Sequence, residues 1–176
     1  MAYFKLEQGE KELKSITLAD GRSITVECLS CAIVEGAVKP NGGTIYETEH
    51  FHAHQDVAYP ITGLVILASK RHVKCLDELT KEEQNDYIQM LYRIRKAQRE
   101  VLGIEQVYYF YNEDTTHHFH TWMVPRYDWM YEFGRSVESV RPVLLHARQK
   151  RNSKNEIEKI LGAINELREF LNATDE

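Results

Sequence analysis

The run Leu64-Val65-Ile66-Leu67-Ala68 sets the first condition on the fold. Five consecutive apolar residues are the pattern of a strand buried on both faces, so Leu64–Ser69 is expected inside a sheet. Thr44–Glu47 and Phe51–Val57 read as strands ahead of it. Residues Ser15–Glu27 read as a β-hairpin: Ile16 and Leu18 alternate with polar residues, Asp20-Gly21 makes a tight turn, and Ile24 and Val26 alternate on the return. Ala32-Ile33-Val34-Glu35-Gly36 predicts a short helix ended by glycine.

Thr80-x-x-Glu83 is a capping box, so a helix is expected from Lys81. Tyr87, Leu91, Ile94 and Val101 follow at helical spacing, and Gly103 ends the element. Val107–Asn112 and His118–Val124 read as two more strands, joined by the polar turn Glu113-Asp114-Thr115-Thr116. A second capping box, Ser153-x-x-Glu156, opens a helix with the stripe Ile157, Ile160, Leu161, Ile164, Leu167 and Leu171. Repeats, low-complexity tracts and linkers are absent. The expected fold class is α+β, one domain with an antiparallel sheet, a long central helix and C-terminal helices.

A chain of 176 residues has enough material for one hydrophobic core and not two. The formal charge of −5 argues against a nucleic-acid partner held by broad electrostatics, though not against a small anionic ligand. No stretch has the length of a membrane-spanning helix, and the N-terminus lacks the apolar core of a secretory signal. A soluble, cytoplasmic protein without a membrane partner is the expectation. In that setting Cys28-x-x-Cys31 reads as half of a metal site or as a redox pair, and Cys75 as a small buried residue.

Histidine carries the sign of chemistry. Seven of eight lie between positions 50 and 120, six of them in two tight groups. In His117-His118-Phe119-His120-Thr121-Trp122-Met123-Val124-Pro125-Arg126, strand alternation sets His118, His120 and Trp122 on one face. Taken alone, the pattern also fits a half-buried strand with satisfied histidines. It stands, however, behind Gly63-Leu-Val-Ile-Leu-Ala-Ser-Lys-Arg-His72-Val and Leu76-Asp-Glu-Leu-Thr80. Cys28-Leu-Ser-Cys31-Ala-Ile-Val-Glu-Gly36 and Ile45-Tyr-Glu-Thr-Glu-His-Phe-His-Ala-His-Gln-Asp56 come earlier, in the same order.

From Cys28 to Arg126 this succession resembles the histidine-triad (HIT) nucleotide-binding superfamily, which is related to the galactose phosphate uridylyltransferases. The resemblance implies a HIT-like domain over 28–126, a hairpin extension over 1–27 and a helical extension over 127–176 packed on the same domain. It implies that His120 is a nucleophile toward the α-phosphate of a nucleotide, forming a nucleotidyl-imidazole that water or another acceptor resolves. It also implies that Asn112 positions phosphate and Asp56 binds ribose hydroxyls. Trp122 stands where the family has its third histidine; uridylyltransferases have glutamine there. The turn before the motif is shorter and more acidic than in the family, leaving Thr115, Thr116 or His117 to contact phosphate. Two thiolates and two imidazoles, Cys28, Cys31, His72 and His118, correspond to a closed zinc site of some relatives, one structural ion per chain. A homodimer is implied as well.

One feature lies outside the resemblance. His50, His52 and His54 alternate along a strand, with Asp56 continuing the row. The row fits an exposed or edge face; alternatively, His52 or His54 lines the nucleotide pocket and supplies the proton-transfer group missing at Trp122. Arg148–Lys154 reads as a solvated helix junction. The expected activity is hydrolysis or transfer on a nucleotide phosphoanhydride or phosphoramidate, with dinucleoside polyphosphates among the substrates. A nucleotide-binding module with impaired catalysis is the alternative, and a redox protein using Cys28 and Cys31 is disfavoured by the absence of a thioredoxin-like βαβ pattern.

Overall fold

A computed structural model of the chain describes residues 14–17, 23–114 and 118–174. Strands β1 (Lys14–Thr17) and β2 (Ser23–Val26) pair antiparallel, Lys14 opposite Val26; the Asp20-Gly21 turn expected between them lies outside the described residues. Five further strands, β3 (Thr44–Glu47), β4 (Phe51–His54), β5 (Val65–Ser69), β6 (Val107–Phe110) and β7 (His120–Pro125), form one antiparallel sheet. Its order is β3-β4-β5-β7-β6, with β5 in the middle, where its apolar sequence requires it.

Alternation along the strands divides the sheet into two faces. Phe51 and Ala53, Val65 and Leu67, and Met123 point into the larger core. Helices α2 (Lys81–Glu100) and α4 (Lys154–Ala173) close that core with Met90, Ile94 and Ala97 from one and Ile160, Ile164, Leu167 and Leu171 from the other. The opposite face carries His52, His54, Ile66, Ala68, His120, Trp122 and Val124. There Ile66 and Val124 join a smaller core with Met130 from a 3-10 helix (Asp128–Phe133) and Val143 and Ala147 from α3 (Val140–Lys150). The C-terminal residues thus cover part of both faces.

The helix ends follow the sequence closely. Thr80 and Glu83 form the reciprocal capping box at the start of α2, and Gly103 adopts φ +63° beyond its end. At α4 only half of the second box forms. Ser153 accepts from the Glu156 N–H, but the Glu156 carboxylate is taken by Arg151 at 2.9 Å. α1 (Leu29–Val34) starts three residues earlier than expected and is followed by Gly36 at φ +75°. Gly63, at φ +73°, turns the chain into β5 where a Cβ would lie 2.5 Å from Ile104 Cδ1, so no larger residue fits without displacement.

Candidate active site and metal centre

Three chain segments bring Cys28, Cys31, His72 and His118 together, with one ligand atom of each within 4.8 Å of all the others. Cys28 and Cys31 come from the first turn of α1, His72 from the loop after β5, and His118 from the segment entering β7. The separations are 3.3 Å for Cys28 Sγ–His118 Nδ1, 3.1 Å for Cys31 Sγ–His72 Nδ1, 3.5 Å for Cys31 Sγ–His118 Nδ1 and 3.3 Å between the two Nδ1 atoms. A tetrahedral zinc with Zn–S of about 2.3 Å and Zn–N of about 2.0 Å needs ligand-to-ligand edges of roughly 3.3–3.8 Å. The cluster fits.

The surroundings prepare the ligands. His118 Nε2 lies 2.8 Å from the Ser69 carbonyl oxygen, so Nε2–H donates there and the Nδ1 lone pair faces the cluster. Arg71, beside His72, forms a two-pronged bond with Glu83 (2.8 and 2.7 Å), tying the His72 loop to the first turn of α2. The Arg71 guanidinium holds the Glu83 carboxyl at about 2. Burial raises both thiols, but hydrogen bonding with His118 and the Cys31 backbone outweighs it at Cys28, bringing that thiol to about 6. Burial together with the adjacent Cys28 pushes Cys31 to about 12.

His120 opens β7 two residues further on, half-buried, on the opposite side of the sheet from α2. Its Nδ1 lies 2.8 Å from the His118 carbonyl oxygen. Donation from Nδ1–H leaves the lone pair on Nε2, and burial pushes the ring below its ordinary pKa, so it is neutral at physiological pH. Of the three residues that alternation sets on one face, His120 and Trp122 lie in β7, and His118 is held just before it by the cluster and Ser69.

The His52/His54 row departs from an exposed or edge face. β4 is an interior strand, its row pairs Glu47 with His52, His52 with Ala68 and Ala68 with His120, and both rings are buried. The two ring centroids are 4.6 Å apart. Burial lowers His52 to about 4 and His54 to about 3, in the latter case with help from His52 and His120. Among the described residues, both nitrogens of His52 and Nδ1 of His54 lack a hydrogen-bond partner. His50 lies outside β4 and is only half-buried.

β4 ends at His54, so Asp56 stands in the turn behind it, half-buried, with Oδ1 accepting the Ala58 N–H at 2.9 Å. Asn112 follows the end of β6, two residues past Phe110, which pairs with Trp122. That register leads toward His120. Trp122 packs edge-on against Tyr59 with centroids 5.3 Å apart, as part of the smaller core. Thr115, Thr116 and His117 lie outside the described residues. Cys75 is half-exposed rather than buried, its thiol donating to Glu78, because it begins a surface 3-10 turn (Leu76–Glu78). Sequence reasoning passed over Ser69 and Tyr59. Ser69 has a signal, a lone polar residue ending an apolar strand; Tyr59 has none before the chain folds.

No protein-family model matches the chain, and no curated protein does. Solved structures match it closely in fold. A zinc-bound histidine triad family protein from Mycobacterium smegmatis superposes with a TM-score of 0.59 and 23% identity, over 84% of this chain and 95% of that one. A hypothetical histidine triad nucleotide-binding protein from Sulfolobus tokodaii gives 0.60 and 16%, over 83% and 93%. A HIT family protein from Bacillus subtilis gives 0.55 and 21%, over 78% and 94%. The chain has the fold of the histidine-triad proteins.

Proposed function

We propose that the protein is a nucleotide hydrolase or nucleotidyltransferase working through His120. The observation that carries this reading is the hydrogen bond from His120 Nδ1 to the His118 carbonyl, which leaves Nε2 as a neutral nucleophile on the face of the sheet that also bears His52 and His54. The Nε2 lone pair attacks the α-phosphorus; the bond to the leaving oxygen breaks, and its electron pair leaves on that oxygen. The nucleotidylated ring carries a positive charge that the His118 carbonyl stabilises. Water then attacks the same phosphorus, the P–N bond returns its electrons to Nε2, and the water proton is lost to solvent.

Asn112 positions the phosphate and Asp56 the ribose, with His54 beside them; Thr116 and His117 complete the phosphate contacts. His54 is too dry to carry a proton in the free protein, and it serves as a neutral hydrogen-bonding group. Cys28, Cys31, His72 and His118 hold one structural zinc, which supplies rigidity and no open coordination position. Dinucleoside polyphosphates and nucleoside phosphoramidates are the substrates that suit such a site. The chain functions as a cytoplasmic homodimer, comprising a hairpin extension (1–27), the nucleotide-binding domain (28–126) and a helical extension (127–176). The dimer forms through the edge of β6 that is unpaired among the described residues, and the exposed side chains beside it.

A second reading has its own support. Trp122 is packed into the smaller core against Tyr59, and its indole N–H donates but cannot shuttle a proton, which favours a binding module with impaired turnover. Intact-mass analysis after mixing with dinucleoside polyphosphates and nucleoside phosphoramidates separates the two. A nucleotidyl adduct or hydrolysis product that disappears in His120→Ala is the expected result. Binding without adduct or product supports the module, and full turnover by His120→Ala overturns the nucleophile.

A further inference from the structure

Beyond the reacting centre, α1 and the loop after it lie against β3 and β4 around a cavity of ≈ 350 Å³, lined by Ile33, Val34, Pro40, Thr44, Lys70 and His52 among others. His52 is only 3% exposed, yet neither of its ring nitrogens has a hydrogen-bond partner among the described residues. A neutral imidazole presents one N–H and one lone pair. Buried groups of this kind are paired in nearly all folded proteins, because an unmet donor or acceptor keeps its full desolvation penalty. The nearest charged groups do not meet the need: Lys70 is paired with Glu47 at 3.0 Å, across the strand from His52. Neither nitrogen opens onto the cavity in the free protein, so a ligand there meets them once the ring has turned.

The register gives the ligand its length. His52 is opposite Ala68, and Ala68 is opposite His120, so the two histidines stand two strands apart on one face. At the usual strand spacing that is roughly 10 Å. A nucleoside seated with its base in the cavity reaches His120 with its 5′-phosphate. The aliphatic side chains of Ile33 and Val34 and the Pro40 ring offer flat apolar contact to a heterocycle. A turn about the broad χ2 torsion brings either nitrogen of His52 toward it.

We propose that His52 is a specificity-determining residue: it reads the exocyclic hydrogen-bonding group of the substrate's base and makes the protein selective among nucleotides. This inference rests on the nucleotide reading above and adds base selection to it. A bare apolar pocket accepts any flat ring, whereas a buried donor and acceptor reject a base that leaves them unmet.

The test compares AMP, GMP and purine riboside 5′-monophosphate, whose base lacks exocyclic groups, by calorimetric titration of the zinc-loaded protein. Wild type is expected to bind AMP or GMP about tenfold tighter than the unsubstituted nucleotide, the effect of one net hydrogen bond. His52→Leu is expected to bring the preferred nucleotide down to the unsubstituted level while its own melting temperature stays equal or rises, since an unmet polar group has been removed. His52→Gln, which keeps a donor and an acceptor, is expected to retain part of the preference. Equal binding of all three by wild type, or an unchanged preference in His52→Leu, overturns the assignment and leaves the nucleotide reading standing. Failure to bind any of the three overturns both.

Discussion

His52 and His54 illustrate what burial does to a side chain that titrates near neutrality. In an unfolded chain each takes up a proton around pH 6.5. In the folded protein burial holds them neutral down to about 4 and about 3. Glu47 favours protonation of His52 and Lys70 and His118 oppose it, while His52 and His120 oppose protonation of His54. Above pH 6.5 both states are neutral and the effect vanishes. Below it the unfolded chain binds protons that the fold refuses, so stability falls as the pH drops, by up to about 1.4 kcal/mol per pH unit for each ring. Urea unfolding at pH 7, 6 and 5 in excess zinc, where the pH dependence of the metal ligands is common to wild type and variant, is expected to give a steadily lower midpoint. His54→Leu should flatten that slope. A variant with the wild-type slope would mean that the ring is not held neutral.

Among the elements, α1 depends most on its surroundings. It has six residues, no side-chain N-cap and no acidic residue in its first turn, so isolated helix propensity contributes little. Its position is tied to Cys28 and Cys31, which meet His72 and His118. Removing zinc with a chelator, or replacing Cys31 with Ser, is therefore expected to release α1 and the 70–73 loop first. Hydrogen exchange should speed up at 29–34 and 70–73 while α2, whose capping box and apolar face are independent of the metal, keeps its protection. Uniform loss of protection would mean that the cluster holds the whole fold; no loss would mean that it holds nothing.

The elements also differ in how clearly the sequence announces them. β5, α2 and α4 are announced by an apolar run, a capping box and an apolar stripe, all local signals. β4 and β6 are shorter than their sequences suggest, because pairing stops where the chain turns toward the site, after His54 and Phe110. The Cys28, Cys31, His72 and His118 cluster was legible from motif order. The burial of His52 was not: alternating histidine reads as a wet surface, and only the roof formed by α1, set by a contact between residues 40 positions and more apart, makes that surface dry.

At the scale of the whole molecule, the two sheet edges are treated differently. β3 packs beside α4, whereas β6 pairs only with β7 among the described residues and leaves Tyr109 51% exposed. Ile88 and Tyr92, one turn apart on α2, are 58% and 65% exposed. An open strand edge next to exposed apolar side chains favours pairing with another strand. Sedimentation velocity is expected to give a dimer for the wild type and a monomer for the double variant Ile88→Lys, Tyr109→Lys, with the melting temperature of the dimer depending on concentration. A dimer that survives both charges would move the interface elsewhere.

The position of His118 has a consequence of its own. Its ring belongs to the cysteine cluster and its carbonyl to His120, so a single residue acts as a crank between the two centres. A shift of the ring is carried through its own backbone to the imidazole next in line, with no relay through the packed interior. Anything that loosens the cluster, an oxidant reaching Cys28 or a competing chelator, thereby changes the aim of the His120 ring directly. Retuning one centre by mutation without disturbing the other is correspondingly hard.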